Sequence, residues 1–426
     1  MPRIFLFMNI WMLTNTFLPF VGGVSRSVLM FSEECRKAGH RVLIVAPTFE
    51  GSPAVETDVI RIPALQNFNG GDFSIALPVP GYLSSYFTEC RPDIVHSHHP
   101  HFLGNTAVRI ASALHCPLVF THHTMYEHYL HYVPSEAKRL REFVIALVTG
   151  YCNLCDCVIA PSASVAGILR ERGVATPMEV IPTGVDLRAF VTGNGERVRQ
   201  AHEIPQKAFV AGYVGRLAPE KNLSFLAEAM CAYLAQNKRA HFLVVGSGPS
   251  AAMVIERFQR ARLQRRLHLV GVLEGQKLVD VYHAMDVFVF ASHSETQGMV
   301  VTEAMAAGRP VVALDAPGVR EVVTDRRNGR LLDSQSGAAD FAAAVAELAS
   351  APRPAREALA RAARETAAQF SMERCGRQLV EVYERLRQQQ PSGAKDETMW
   401  RRAMEEIKAE WELLKNAAEA VRQALK

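Results

Sequence analysis

Cysteine is scarce and unpatterned in this chain. Eight thiols are spread irregularly over 426 residues, which excludes a disulfide-stapled scaffold and fits a reducing, cytoplasmic setting. A charge excess of one sign is also missing. The 47 Lys and Arg side chains oppose 43 Asp and Glu, so no field builds up that would draw the chain to nucleic acid irrespective of sequence. Long apolar runs are absent as well. The best stretch, residues 143–157, is interrupted by Gly150, Asn153 and Asp156 and falls short of the roughly 18 residues that a spanning helix needs. The apolar opening at 4–13 has only Arg3 ahead of it and no small-residue cleavage site behind it. It reads as a buried first strand with a short N-terminal extension rather than as a secretory signal. Any membrane contact is therefore expected to be peripheral.

What is present is an ordinary balance of core and surface, 49% hydrophobic and 21% charged, in a chain long enough for two domains. Short apolar runs alternate with helical periodicity, the grammar of a parallel sheet covered on both faces. Strands are expected at 10–14, 41–46, 94–96, 118–121, 157–160 and 179–181, and the same grammar restarts at 209–214, 241–245, 267–270, 287–291, 310–314 and 329–332. The expected fold class is α/β, two doubly wound Rossmann-like domains facing across a cleft. The first spans 1–185, a polar linker 186–207 follows, and the second spans 208–370. A closing helix at 371–390 is expected to return toward the first domain, with an extra amphipathic helix in 391–426. In that last helix Trp400, Ile407, Leu414 and Val421 recur every seven residues, a seam that either docks on its own chain or forms a homodimer. Its charges balance, seven against seven from Lys395 onward, which disfavours a basic membrane-surface helix.

Three segments carry chemistry. Gly22 and Gly23 sit between the first strand and a helix starting near Ser25, where backbone N–H groups can approach a phosphate unobstructed by a Cβ; a plain tight turn uses the same residues. The second domain opens with a strand followed by Arg216 and Lys221, two cations able to converge on a diphosphate leaving group or simply to face solvent. After the strand at 287–291 come Glu295, Gly298, Met299, Val300 and Glu303. Carboxylates there can accept hydrogen bonds from sugar hydroxyls, and the N–H groups of the helix start can meet an anion. The plainer reading of Glu303 is complementation of a helix N-terminus.

Taken in order, Gly22-Gly23-Val24, Ile181-Pro-Thr-Gly-Val-Asp186, Arg216 with Lys221, and Glu295 with Glu303 ahead of Ala-Met-Ala-Ala-Gly-Arg-Pro310 resemble the family-four retaining glycosyltransferases of GT-B fold over about residues 10–390. The resemblance implies a nucleotide diphosphate sugar as co-substrate, no required cofactor or metal, and transfer with retained anomeric configuration. It places Arg216 and Lys221 on the diphosphate, Glu303 on the ribose, Glu295 on the donor sugar, and Gly23 at the phosphate. It also points to His123, in Thr121-His-His-Thr-Met-Tyr-Glu127, as the histidine after an active-site strand. His123 would orient donor or acceptor, with Tyr126 and Glu127 on the acceptor side. This segment and Glu295-Thr-Gln-Gly298 look most like enzymes that add glucose to diacylglycerol. UDP-glucose and a lipid acceptor follow from that subgroup resemblance and from nothing in the composition. Thr296-Gln297 stands where many members have Gly-Phe. Aromatics between 67 and 87, among them Phe68, Phe73, Tyr82, Tyr86 and Phe87, either line an acceptor opening or pack in a long loop.

Two rival readings stay open at this point. Gly246-Ser-Gly248-Pro-Ser-Ala251 follows a strand and matches a loose dinucleotide fingerprint, which would make an oxidoreductase, but the acidic residue expected at the end of the next strand is missing. A non-catalytic nucleotide-sugar-binding protein is the other. Metal ligation by His96, His98, His99 and His101, or by Cys152, Cys155 and Cys157, is outweighed by satisfied core histidines and buried thiols.

Overall fold

The computed structural model describes residues 7–20, 22–53, 56–65, 75–76, 83–127, 137–292 and 295–389. They form two units, one combining the described residues from 7 to 183 with 373–389, the other made of 184–372. The expected C-terminal helix in 391–426, its homodimer, and Phe68, Phe73 and Tyr82 lie outside the described residues.

The first unit begins β1 (Asn9–Leu13), α1 (Gly23–Lys37), β2 (Arg41–Pro47) and β3 (Val59–Ile62), with a small antiparallel pair β4 (Ala64–Leu65) and β5 (Ile75–Ala76). It continues through α2 (Ser84–Glu89), β6 (Ile94–Ser97), α3 (Leu103–Leu114), β7 (Leu118–Thr121) and α4 (Ala137–Asn153) to β8 (Cys157–Ala160), α5 (Ala163–Glu171) and β9 (Met178–Val180). Seven strands pair in the order β3-β2-β1-β6-β7-β8-β9, all parallel. β1, β7 and β8 are largely apolar, and with β6, whose His96 and Ser97 are polar, they are buried on both sheet faces, as helices on either side demand. Trp11 anchors one face: its indole N–H donates to the Cys90 carbonyl at 2.9 Å and its ring stacks on Phe87 at 5.2 Å. Tyr86 and Phe87 thus pack against this core instead of opening a groove.

The second unit runs α6 (Leu187–Phe190), α7 (Gly195–Ala201), β10 (Phe209–Val214), α8 (Leu223–Gln236), β11 (Ala240–Val245), α9 (Ala251–Arg260) and β12 (Leu267–Leu269). Then come α10 (Gly275–Ala284), β13 (Val287–Phe290), α11 (Met299–Ala306), β14 (Val311–Leu314), β15 (Gly329–Leu332), α12 (Ala338–Ser350) and α13 (Arg353–Gln369). Its parallel sheet has the order β12-β11-β10-β13-β14-β15. Both units are therefore Rossmann-like. In each, the strand order reverses once, between β1 and β6 and between β10 and β13, and loops at such a reversal diverge to leave room for a ligand.

The expected linker at 186–207 is instead structured and belongs to the second unit. Its polar residues supply caps and an ion pair: Asp186 accepts from Arg188 N and Ala189 N, Asn194 accepts from Arg197 N, and Arg199 pairs with Asp286 at 2.9 Å while donating to the carbonyls of Ala284 and Ala208. Val185 N donates to Phe370 O and Met372 N to Val185 O, so the two stretches at which the chain passes between units run side by side. The final described helix, α14 (Met372–Gln389), lies on the first unit: Tyr383 OH meets His96 Nδ1 at 2.5 Å, and Arg385 and Arg387 pair with Glu179 and Asp93. Among the described residues no helix is long and apolar enough to cross a membrane.

The dinucleotide-like glycines have a packing role. Gly246 has φ +127°, and a Cβ on it would lie 2.0 Å from the Gly215 carbonyl oxygen. The loop after β11 can thus press against the loop after β10, with Leu217 N donating to Ser247 O and Ser250 N to Leu217 O, each at 2.8 Å. Gly246→Ala is expected to destabilise the second unit by about 1–3 kcal/mol through backbone conformation alone, with a further loss from the clash, read as a lower denaturant midpoint.

Candidate functional site

Both reversals in strand order carry the residues singled out in the sequence. In the second unit, β10 ends in Val214, and Tyr213 OH donates to Arg216 O at 3.1 Å, fixing the loop that follows. Burial, with Glu295 and Glu220 nearby, raises that phenol above its ordinary range, so it stays a neutral donor. Arg216, about half exposed, pairs with the buried Glu220. Asn222, at φ +53°, turns the chain into α8.

Beside this loop, β13 delivers Glu295. Its Oε2 accepts from Lys221 Nζ at 2.9 Å and its Oε1 from Gly298 N at 3.2 Å. One carboxylate thus ties the loops after β10 and β13 together and orients the start of α11. Gly298, at φ +79°, is the helix N-cap. The amides of Met299 and Val300 fall in the first turn, whose N–H groups have no partner within the helix. Glu303 sits in the fifth position of α11 and is 2% exposed, so solvent-side charge complementation does not describe it. Its Oε2 accepts from Tyr282 OH at 2.8 Å, and Tyr282 is itself buried. A buried carboxylate held by a phenol presents an acceptor-rich group of fixed orientation.

The sequence reading missed four contributors here. Glu220 was visible in Pro-Glu-Lys but not as the partner of Arg216. Tyr282 gave no signal beyond an apolar helix face. Gln297 is buried, although it was read only as a departure at the donor sugar. Gly318 packs so tightly that a Cβ would lie 2.3 Å from Gln297 N, and its own N–H donates to Glu295 O at 3.0 Å. A cavity of about 300 Å³ at the opposite strand ends, lined by Phe209, Asp286 and Arg309 among others, is a structural feature: Arg309 donates there to the carbonyls of Ala307 and Met285.

In the first unit the reversal gathers histidines. β1, β6 and β7 are neighbours, so Asn15, His98, His99, His122 and His123 all follow adjacent strand ends. His123 Nε2 meets His98 Nδ1 at 2.9 Å with the rings stacked 5.2 Å apart; one nitrogen must carry the hydrogen and the other accept it. His96 is a satisfied core residue, bound to Tyr383 OH and to Thr121 Oγ1 at 2.7 Å. His99 Nδ1 accepts from Asn15 N at 3.0 Å. Among the described residues, His98 Nε2, His101 Nδ1 and His122 Nδ1 are buried with no hydrogen-bond partner, polar atoms that a hydroxyl would satisfy. Tyr126 lies edge-on to His101 at 5.0 Å. Glu127 is buried and paired with Arg172 at 2.5 Å, which anchors the segment to α5 and commits that carboxylate. Gly22 caps α1 and Gly23 opens it, exposed, with no side-chain cap. Among the described residues no group of three or more His, Cys, Asp or Glu is arranged to hold a metal, and the eight cysteines are all free.

Burial, reinforced for several by neighbouring imidazoles, holds these histidines neutral. His96 and His99 are pushed down to about 3, His101 and His122 to about 4, and His98 and His123 well below the ordinary value. The unfolded chain binds protons at these sites below about pH 6.5 while the folded unit does not. Stability is therefore fully present above that pH and lost as pH falls through the folded values, at about 1.4 kcal/mol per pH unit for each histidine that titrates only when unfolded. Denaturant midpoints at pH 7.5, 6 and 5 are expected to fall in that order, and His101→Gln to remove about one proton from the slope.

Known proteins place the chain in a family. The model of Glycosyltransferase Family 4 matches residues 21–189 and that of Glycosyl transferases group 1 matches 194–366. An alpha-monoglucosyldiacylglycerol synthase of Streptococcus pneumoniae is 30% identical over 346 residues, covering 80% of this chain and 78% of that protein. A GDP-mannose-dependent alpha-mannosyltransferase of Mycobacterium tuberculosis is 31% identical over 329 residues, covering 75% and 82%. The structure of Anabaena Alr3699/HepE in complex with UDP and glucose superposes with a TM-score of 0.71 at 20% identity, over 89% of this chain and all of that one; that likeness concerns the fold. With two Rossmann-like domains of GT-B type and a relative of this identity along most of its length, the chain belongs to glycosyltransferase family 4.

Proposed function

We propose that this glycosyltransferase moves glucose from UDP-glucose to a hydroxyl of a lipid such as diacylglycerol, with retention at the anomeric carbon and without a metal. The observation that carries the reading is the Lys221–Glu295–Gly298 connection at the strand-order reversal of the second unit, with Arg216 and Glu303 on the flanking elements. The lipid acceptor and the glucose are supported by the synthase relative and by the His122-His123-Thr-Met-Tyr-Glu127 segment.

In this reading Arg216, Lys221 and the first-turn N–H groups of α11 bind the diphosphate. Fixed positive charge there stabilises the leaving group as the bond between the anomeric carbon and the phosphate oxygen breaks. Those cations and dipoles take the place of a metal. Glu303, oriented by Tyr282, holds the ribose hydroxyls, and Glu295 the hydroxyls of the transferred sugar. The acceptor oxygen forms its bond on the face that the phosphate leaves, and its proton passes to the departing diphosphate. Gly23 approaches the phosphate from the start of α1. His123, held neutral and bound to His98, orients the reacting hydroxyl through hydrogen bonds and does not serve as an imidazolium acid. Tyr126 lies on the acceptor side. The protein works in the cytoplasm, peripherally at the inner face of the membrane.

Release of UDP from UDP-glucose, with and without vesicles carrying dioleoylglycerol, tests the reading. Release is expected to require the acceptor and to persist in a chelator. Glu303→Ala removes a hydrogen bond to a charged group, about 1.5–3 kcal/mol, and should weaken UDP binding by about tenfold to a hundredfold. His123→Ala should lower kcat with UDP affinity unchanged. Transfer from GDP-mannose in place of UDP-glucose would retain the chemistry and reject the donor; no transfer to the vesicle lipid from either nucleotide sugar would reject the acceptor.

A further inference from the structure

Phe102 combines two costs that a smaller or polar residue would avoid. Its backbone stands at φ 54°, ψ −104°, a conformation that a bulky side chain adopts only where the surroundings enforce it. The residue is 48% exposed to solvent. The enforcement is visible: the Asn15 side chain donates to His101 O at 2.9 Å and accepts from Leu103 N at 3.1 Å, gripping the chain on both sides of Phe102. Asn15 is itself fixed through its N–H to His99 Nδ1, and Thr106 N donates to Phe102 O at 3.2 Å.

The ring that this clamp holds out is the end of a row. Phe102 meets His101 edge-on at 6.2 Å, His101 meets Tyr126 at 5.0 Å, and Tyr126 meets His122 at 6.4 Å. One end of the row is an exposed phenyl ring. Along the rest, the buried Nδ1 atoms of His101 and His122 have no hydrogen-bond partner among the described residues. Hydrocarbon at one end and hydroxyl-seeking nitrogens along the other is the complement of an amphiphilic alcohol. We infer that Phe102 is a specificity-determining residue that receives the hydrocarbon body of the acceptor next to its reacting hydroxyl. The inference rests on the reading of the first unit as the acceptor side.

The test compares the wild-type protein with Phe102→Ala, Phe102→Gly and Phe102→Tyr, using UDP-glucose and dioleoylglycerol in phosphatidylcholine vesicles. The Ala and Gly variants are expected to raise the apparent KM for the vesicle acceptor about tenfold or more, the loss of one phenyl contact, with UDP affinity and kcat at saturating acceptor unchanged. Phe102→Tyr, which keeps the ring, should retain the wild-type KM. Phe102→Gly should also raise the thermal unfolding midpoint, because glycine adopts this backbone without strain. An active wild-type protein whose Ala and Gly variants keep its acceptor KM would overturn the inference alone, as would a lowered midpoint for Phe102→Gly, which would make the ring a structural prop. A wild-type protein that transfers to this acceptor from neither UDP-glucose nor GDP-mannose would overturn the lipid reading and the inference with it, a result distinguished by needing no variant to be seen; transfer from GDP-mannose alone would move the same variant comparison to that donor.

Discussion

A parallel strand can be followed by its neighbour only through a right-handed crossover, and that constraint governs everything else in this molecule. To cover both faces of a sheet with helices, the chain must at some point return to its first strand and continue on the other side. Here it does so twice, between β1 and β6 and between β10 and β13. At each return the loops of two adjacent strands run to opposite faces and leave a gap at the carboxyl ends. The side chains singled out in the sequence lie at these gaps, where the topology leaves room for a ligand.

The two gaps are furnished in opposite electrostatic styles. In the second unit the groups are ionic and mutually compensated, Lys221 with Glu295 and Arg216 with Glu220. Such pairs hold their partners in place, and in the proposed function they exchange them for the phosphates and hydroxyls of the donor. In the first unit the groups are imidazoles stripped of charge by burial, bonded to one another and to backbone. A charged site suits a diphosphate. A neutral one suits an uncharged alcohol, since no hydration shell of an ion has to be removed for it to enter.

Most of the strand pattern was legible because parallel strands buried on both faces are uninterrupted apolar runs. β3 was not, since Arg61 interrupts Val59–Ile62; its guanidinium is taken up by the nearby Glu56 and by the carbonyls of Pro47 and Leu18, of which the last two lie too far along the chain to leave a local trace. Residues 186–207 misled for a related reason. Caps and a part-buried ion pair have the composition of a loose connector, and only the positions of Asp280, Asp286 and Ala284 show that the segment is packed. At the site, residues lying on strand-to-helix turns could be named from the sequence. Their supports, Tyr282, Gly318, His98 and Asn15, could not, because each acts through a partner that only the fold brings near.

The order in which the chain is made gives the contact between Tyr383 and His96 a temporal meaning. The second unit is an insertion: synthesis leaves the first unit at residue 183 and returns to it at 373. Ribosome-bound chains fold their domains as they emerge, so the second unit can be complete while the histidine-bearing sheet still lacks the helix that supplies a hydroxyl to its central imidazole. A truncated or stalled product ending before α14 would carry the second unit intact and the first unfinished. Helix α14 thus decides when the described sheet of the first unit is covered.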